Sequence, residues 1–229
     1  MKKDIKKLLH IDGIFILEQA DLLSIVKNCL FDTICHEHLE YYSSKIIINL
    51  MKENKLRVFD IKNNDINGGS KCYFICNENA KFKSNTKKIN YVLREEKRFK
   101  LEDNKTFEKF YLRINSIGKQ LNKLIDKINL KEETMHGYGA STKGNVLLQY
   151  FNISNKSMKF ISERNAQKFN LYTPGTKIKI ISEKNSRRML PEYYLVLPWH
   201  FKKEILAREK NIRSKGTKFI FPLPKLQIL

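Results

Sequence analysis

The alternation of apolar and polar positions divides the chain before any single residue stands out. "KDIKKLLHI" has helical spacing, "DG" turns the chain, and "IFILE" reads as a short apolar strand. "ADLLSIVKN" is helical again. "SSKIIINLMKEN" predicts a helix with Ser43 or Ser44 as N-cap, because a hydroxyl there accepts from a free amide of the first turn. "LRVFDIK" and "GSKCYFIC" predict two strands joined by the polar turn "NNDINGG". Between 81 and 131 apolar residues recur three and four apart through "FEKFYLRINSIGKQLNKLIDKINL", which predicts one long amphipathic helix or two.

From 134 onward short strands alternate with helices. The strands are "MHGYGA", "MKFISE", "KIKII", "YYLVLPW" and "TKFIFPLP"; the helices are "KGNVLLQYF" and "FKKEILAREKNIRSKG", the last ending at Gly216. Such alternation implies an α/β fold, a largely parallel sheet with helices on its faces. The expected division is 1–80 and 81–229, the second part opening on the helical connector.

Composition narrows the picture. An apolar fraction of 41% with 11% aromatic residues supports a packed core and excludes a disordered chain. The formal charge of +20, from 44 Lys and Arg against 24 Asp and Glu, attracts polyanions at long range. The lysines are scattered rather than gathered in a stripe, and no RNA-binding aromatic signature, zinc finger or basic helix is present. The charge therefore reads as solvated surface plus a local phosphate site, not as a nucleic-acid interface.

Cys29, Cys35, Cys72 and Cys76 form no CxxC pair. "CYFIC" puts two thiols on one face of a strand, but half a metal site lacks its other half, so free thiols in a reducing cytoplasm are expected. No stretch approaches about eighteen apolar residues, and the basic start is interrupted by charge and glycine, a poor signal peptide.

Two stretches carry candidate chemistry. "HGYGASTKGN" (136–145) places Gly139, Ser141, Thr142, Lys143, Gly144 and Asn145 where a strand runs into a helix. Glycines let backbone approach an anion, and the helix start offers free amides. A P-loop needs Ser or Thr after Gly-Lys, and a dinucleotide fingerprint needs its third glycine sooner, so neither fits. The spacing leaves open a diphosphate cradle or a tight turn with no ligand. "CHEHLEYYS" (35–43) gathers His36, Glu37, His38, Glu40, Tyr41 and Tyr42. A metal site, a general base beside a carboxylate and a polar loop with satisfied histidines all remain open at this point.

Taken in order, "FDTICHEHLEYYS", "VFDIKNNDINGGS", "GYGASTKGN", "SERNAQKFNLYTPGTKIKI" and "YYLVLPWHFKKEI" resemble one family. It is the S-adenosylmethionine-dependent C-methyltransferases that act on nucleotide-linked deoxysugars. The resemblance implies that the His-Glu-His segment lies in the active site, with His38 as the base that removes a proton next to a 4-keto group. It implies that Glu37 holds a sugar hydroxyl or orients the histidine, and that Cys35, His36 and Tyr41 line the substrate. Cys35 stands where the family usually has tyrosine, and a thiol cannot make the same long-reach hydrogen bond. The Rossmann-like C-terminal domain is expected to hold the nucleotide-sugar, with Gly139, Ser141, Lys143 and Asn145 near the diphosphate.

The same resemblance assigns "DGIFILEQ", "LRVFDIK" and "GSKCYFIC" to the fifth, sixth and seventh strands of a class I methyltransferase fold. The zinc domain and strands one to four, which carry most of the cofactor site, have no counterpart in this sequence. A separate chain supplying them is therefore an expected partner. A nucleotide-sugar-binding module and an inactive remnant are the alternatives.

Overall fold

The computed structural model describes residues 2–229. They fall into two compact units. The first runs to Asn28 and resumes at Leu39–Phe110; the second joins Cys29–His38 to Tyr111–Leu229.

The first unit contains α1 (Lys2–Leu8), β1 (Ile14–Ala20), α2 (Leu22–Asn28), α3 (Ser44–Glu53), β2 (Leu56–Asn64), β3 (Ser70–Asn77) and α4 (Thr86–Phe99). Ser43 caps α3, accepting from the Ile46 amide, and Ile47 and Met51 bury one stripe of that helix. The strands form a sheet in the order β1-β3-β2, with β3 antiparallel to both neighbours. The strand that the resemblance made seventh thus lies between the fifth and the sixth. Ile61, Tyr73 and Ile75 form the core against α3, and Phe15 and Leu17 of β1 pack onto it. The opposite side chains of β1, Ile14 and Ile16, are exposed. Lys71 is buried among charges: its Nζ lies 2.9 Å from Asp21, 3.6 Å from Glu96 and 3.1 Å from Ser44 Oγ.

The apolar stretch from 81 to 131 is two helices, α4 and α5 (Asn104–Leu130). Lys100 separates them in the left-handed conformation at φ 56°. The division between the units falls inside α5. Its second-unit portion buries Ile114, Ile117, Leu121, Ile125 and Ile128, a helical stripe of spacing three and four.

The second unit begins with a 3₁₀ turn, Phe31–Thr33, and continues after α5 with β4 (Met135–Tyr138), α6 (Thr142–Tyr150), β5 (Phe160–Glu163), β6 (Lys179–Ser182), α7 (Glu183–Arg188), β7 (Tyr193–Val196), α8 (Lys202–Arg208), α9 (Lys210–Ser214), β8 (Lys218–Phe221) and β9 (Gln227–Ile228). The sheet order is β6-β5-β4-β7-β8-β9, parallel through β8 with β9 antiparallel at the edge. This is the expected α/β architecture with a Rossmann-like sheet. Tyr194, Leu195, Phe219 and Phe221 are almost wholly buried, each worth roughly 1.5–3 kcal/mol of apolar burial.

The C-terminal helix is not continuous. It breaks at Glu209, whose carboxylate is drawn inward to accept from Tyr138 Oη at 2.8 Å and from Arg187. The short α7 and β9 carry too few residues for a period to mark them.

Candidate functional site

The "CHEH" stretch is a tight turn, with the His38 amide donating to the Cys35 carbonyl at 3.0 Å. The turn is anchored from below. Phe31 stacks at tilted angles on Tyr150 and Phe151, with ring centroids 5.2 and 5.1 Å away. Asp32 is fully buried and accepts the Trp199 indole N–H at 2.8 Å. The same short turn buries Thr33, whose carbonyl oxygen lies 2.7 Å from His38 Nδ1.

That last contact sets the chemistry of His38. A carbonyl can only accept, so Nδ1 carries the proton and Nε2 of the neutral ring presents a lone pair. The His38 ring is otherwise exposed. Glu37 is also exposed and approaches His36, at 4.0 Å, at the limit of an ion pair. The group that orients His38 is therefore a backbone carbonyl. Cys35 is half-buried and His36 exposed, and Tyr41 belongs to the first unit. Among the described residues no group of three or more His, Cys, Asp or Glu could hold a metal ion.

The glycine loop forms a strand–turn–helix. Ser141 caps α6, its hydroxyl accepting from the Gly144 amide at 3.0 Å. Gly139 adopts φ +83°, and a Cβ there would sit 2.8 Å from Pro198. Gly144 would place a Cβ 2.8 Å from Leu197. Both glycines let the end of β7 close onto the loop. The Ala140 amide is taken by the Glu163 carboxylate at 2.7 Å, so one donor of the loop is already filled by a side chain.

Lys143, half-buried in the first turn of α6, is electrostatically coupled to Asp32 and Cys35. Burial pushes its pKa below the usual lysine value, and those two groups oppose the shift. Burial raises the pKa of Asp32, and the Lys143 charge and the Trp199 hydrogen bond oppose that. His200 is held neutral, its pKa pushed down to about 4 by burial and by repulsion from Lys143, with Glu204 opposing. Asn145 Oδ1 and His200 Nδ1 are enclosed and make no hydrogen bond. The second unit thus draws "FDTICHEH", "GYGASTKGN" and "LPWH" into one electrostatic neighbourhood.

Asp32, Thr33, Trp199 and His200 were not singled out by the sequence. They stand inside stretches that carried the resemblance, but no spacing rule links an aspartate to a tryptophan so far along the chain.

The sequence profile of the C-methyltransferase C-terminal domain matches residues 65–224, more than half of the chain. The chain belongs to the C-methyltransferase family. A C-methyltransferase relative, NovU of Streptomyces niveus, is 31% identical over 225 residues, which cover 98% of this chain and 53% of the relative. The chain spans about half the length of that C-methyltransferase. No helix among the described residues is long and apolar enough to cross a membrane.

Proposed function

We propose that this chain is the substrate-activating portion of a C-methyltransferase. In this reading His38 removes a proton from the carbon beside the keto group of a nucleotide-linked deoxysugar. The carrying observation is the 2.7 Å contact of His38 Nδ1 with the Thr33 carbonyl, which leaves Nε2 as a base in an exposed turn. The proton passes to Nε2 and the electron pair moves onto the keto oxygen as an enolate. Glu37, His36 and Cys35 meet the sugar. Ser141 and Gly139 shape the loop that receives the diphosphate, with Lys143 and Asn145 behind it, and Lys143 supplies positive charge close to Cys35.

The methyl donor of the family, S-adenosylmethionine, needs a glycine loop before a helix and a free carboxylate for its ribose. The first unit does not fit that requirement. Asp21, the carboxylate that follows β1, is bound by Lys71 at 2.9 Å and accepts from the Ser24 amide and hydroxyl at 3.0 and 2.8 Å. The donor then arrives with a separate segment carrying the zinc and cofactor half. The exposed Ile14 and Ile16 and the unpaired side of β1 support a strand being added there. Four free thiols support a reducing, cytoplasmic setting.

The test needs no methyl donor. The chain is incubated in deuterium oxide with a dTDP-linked 4-keto-6-deoxyhexose, and deuterium uptake beside the keto group is followed by mass spectrometry. Uptake by the parent protein and its loss in His38→Asn, with dTDP affinity retained, is the expected result. Uptake that is unchanged in His38→Asn removes His38 from the role.

A further inference from the structure

In the first unit, the charges of α4 sort by face. Lys88 pairs with Asp60 at 3.6 Å and Arg98 with Glu95 at 2.9 Å. Lys87, Arg94 and Lys97 lie seven and three positions apart, so they share one stripe of the helix. All three are exposed, and exposed Lys100 continues the stripe past the helix end. The sequence shows these cations as part of a scattered positive charge; the helix lines them up.

The acids that could neutralise the stripe are engaged elsewhere. Glu96 is buried and accepts from the Ser44 and Lys45 amides at 2.6 and 3.1 Å, with Lys71 Nζ 3.6 Å away. Glu102 holds Lys45, and Asp103 accepts from the Lys105 amide at 2.9 Å. Among the described residues no carboxylate pairs with Lys87, Arg94, Lys97 or Lys100. Like charges held along one helix face repel, and an anion laid along them relieves that cost.

The stripe borders a groove. Two concavities of about 1040 and 580 Å³ share Leu93 and Lys97 as a common wall. The larger also touches α3 and the turn between α4 and α5. Leu93 and Leu101 supply apolar surface, and the exposed side-chain amides of Asn49 and Asn90 can both donate and accept. The 14 residues of α4 span about 21 Å, a length that about six residues of extended chain cover.

These features choose among polyanions. A nucleic-acid strand draws on aromatic platforms for its bases, and none of the described residues lining either concavity is aromatic. A bilayer surface does not enter a concave groove. An extended acidic peptide uses everything present: carboxylates meet the cations, an aliphatic side chain covers the leucines, and the peptide backbone meets the asparagine amides.

We propose that the α4 groove docks an extended acidic segment of a separate protein. Its carboxylates lie on Lys87, Arg94, Lys97 and Lys100, and an aliphatic residue between them lies on Leu93. The surface does not depend on the catalytic reading of the His38 turn.

Fluorescence anisotropy tests it with a labelled hexapeptide of acidic residues around one leucine. The comparison probes are its uncharged Asn and Gln counterpart and a thymidine oligonucleotide of equal charge. Two double variants stand beside the parent: Arg94→Glu with Lys97→Glu in the groove, and Lys123→Glu with Lys127→Glu on exposed positions of α5. Both change the net charge equally, so general attraction to a basic protein affects them alike. The acidic peptide is expected to bind the parent more tightly than either comparison probe. The groove variant weakens it about tenfold or more, and the α5 variant less than about twofold. Equal weakening in both variants, equal binding of the uncharged peptide, or no peptide binding overturns the proposal. Tighter binding of the oligonucleotide, lost in the groove variant, overturns it in favour of a nucleic-acid surface.

Discussion

Trp199 donates its indole N–H to the buried carboxylate of Asp32 at 2.8 Å, across 167 positions of sequence. The bond fixes the 3₁₀ turn whose last carbonyl orients His38. Trp199→Phe removes the donor with little change of shape. Leaving that buried acceptor without its donor costs about 1–3 kcal/mol, which corresponds to a fall in melting temperature of roughly 2–12 °C for a chain of this size. Deuterium uptake at the keto sugar falls too, because the Thr33 carbonyl loses its anchor. An unchanged melting curve and unchanged uptake would separate the indole from the turn.

The chain loses stability in mild acid. His136 is 5% exposed, with Nδ1 2.8 Å from the Ser186 hydroxyl. Burial pushes its pKa from the ordinary 6.5 down to about 4, with Glu192 opposing. The unfolded chain therefore takes up the proton first. The contribution is whole above pH 6.5, declines as pH falls, and is lost by about pH 4; the full difference is worth about 3 kcal/mol. Urea unfolding measured at several pH values checks this, since His136→Gln is expected to flatten the slope between those limits. An identical slope in the variant would assign the acid sensitivity elsewhere.

Two glycines of positive φ separate close contact from backbone strain. Gly139→Ala meets Pro198 at 2.8 Å as well as φ +83°, whereas Gly216→Ala meets nothing within 4 Å at φ +101°. Gly216→Ala is expected to cost about 1–2 kcal/mol from backbone strain alone. Gly139→Ala costs more, since strand end and loop must part. Chemical denaturation of both variants gives the comparison, and equal losses would mean that Pro198 yields freely.

Removing the buried cation of the first unit exposes its dependence on charge pairing. Lys71→Met leaves Asp21 and Glu96 buried without their shared partner. Breaking such a group from one side costs about 3–5 kcal/mol. A variant as stable as the parent at neutral pH would show that the Ser44 and Lys45 amides on Glu96 suffice.

Short-range features of the chain were legible in the sequence. The Ser43 cap, the hairpin of β2 and β3, and the strand–glycine–helix passage through Ser141 depend on neighbours within a few positions. The break between α4 and α5 was left undecided, because Lys100 adopts a left-handed conformation that lysine rarely takes and no glycine announced it. His38 was marked as a candidate base by its residue type and the family resemblance. Its orienting partner was not, because a backbone carbonyl is the same at every position.

The ten residues Cys29–His38 are counted with the second unit, although the first unit continues on both sides of them. The chain therefore passes from one unit to the other at three places. No single cut or single crossover yields either unit whole. Exchange of the second unit between relatives has to carry the Phe31 turn along with the C-terminal sheet, and a hybrid spliced at one point between them takes Asp32 from one parent and its Trp199 donor from the other.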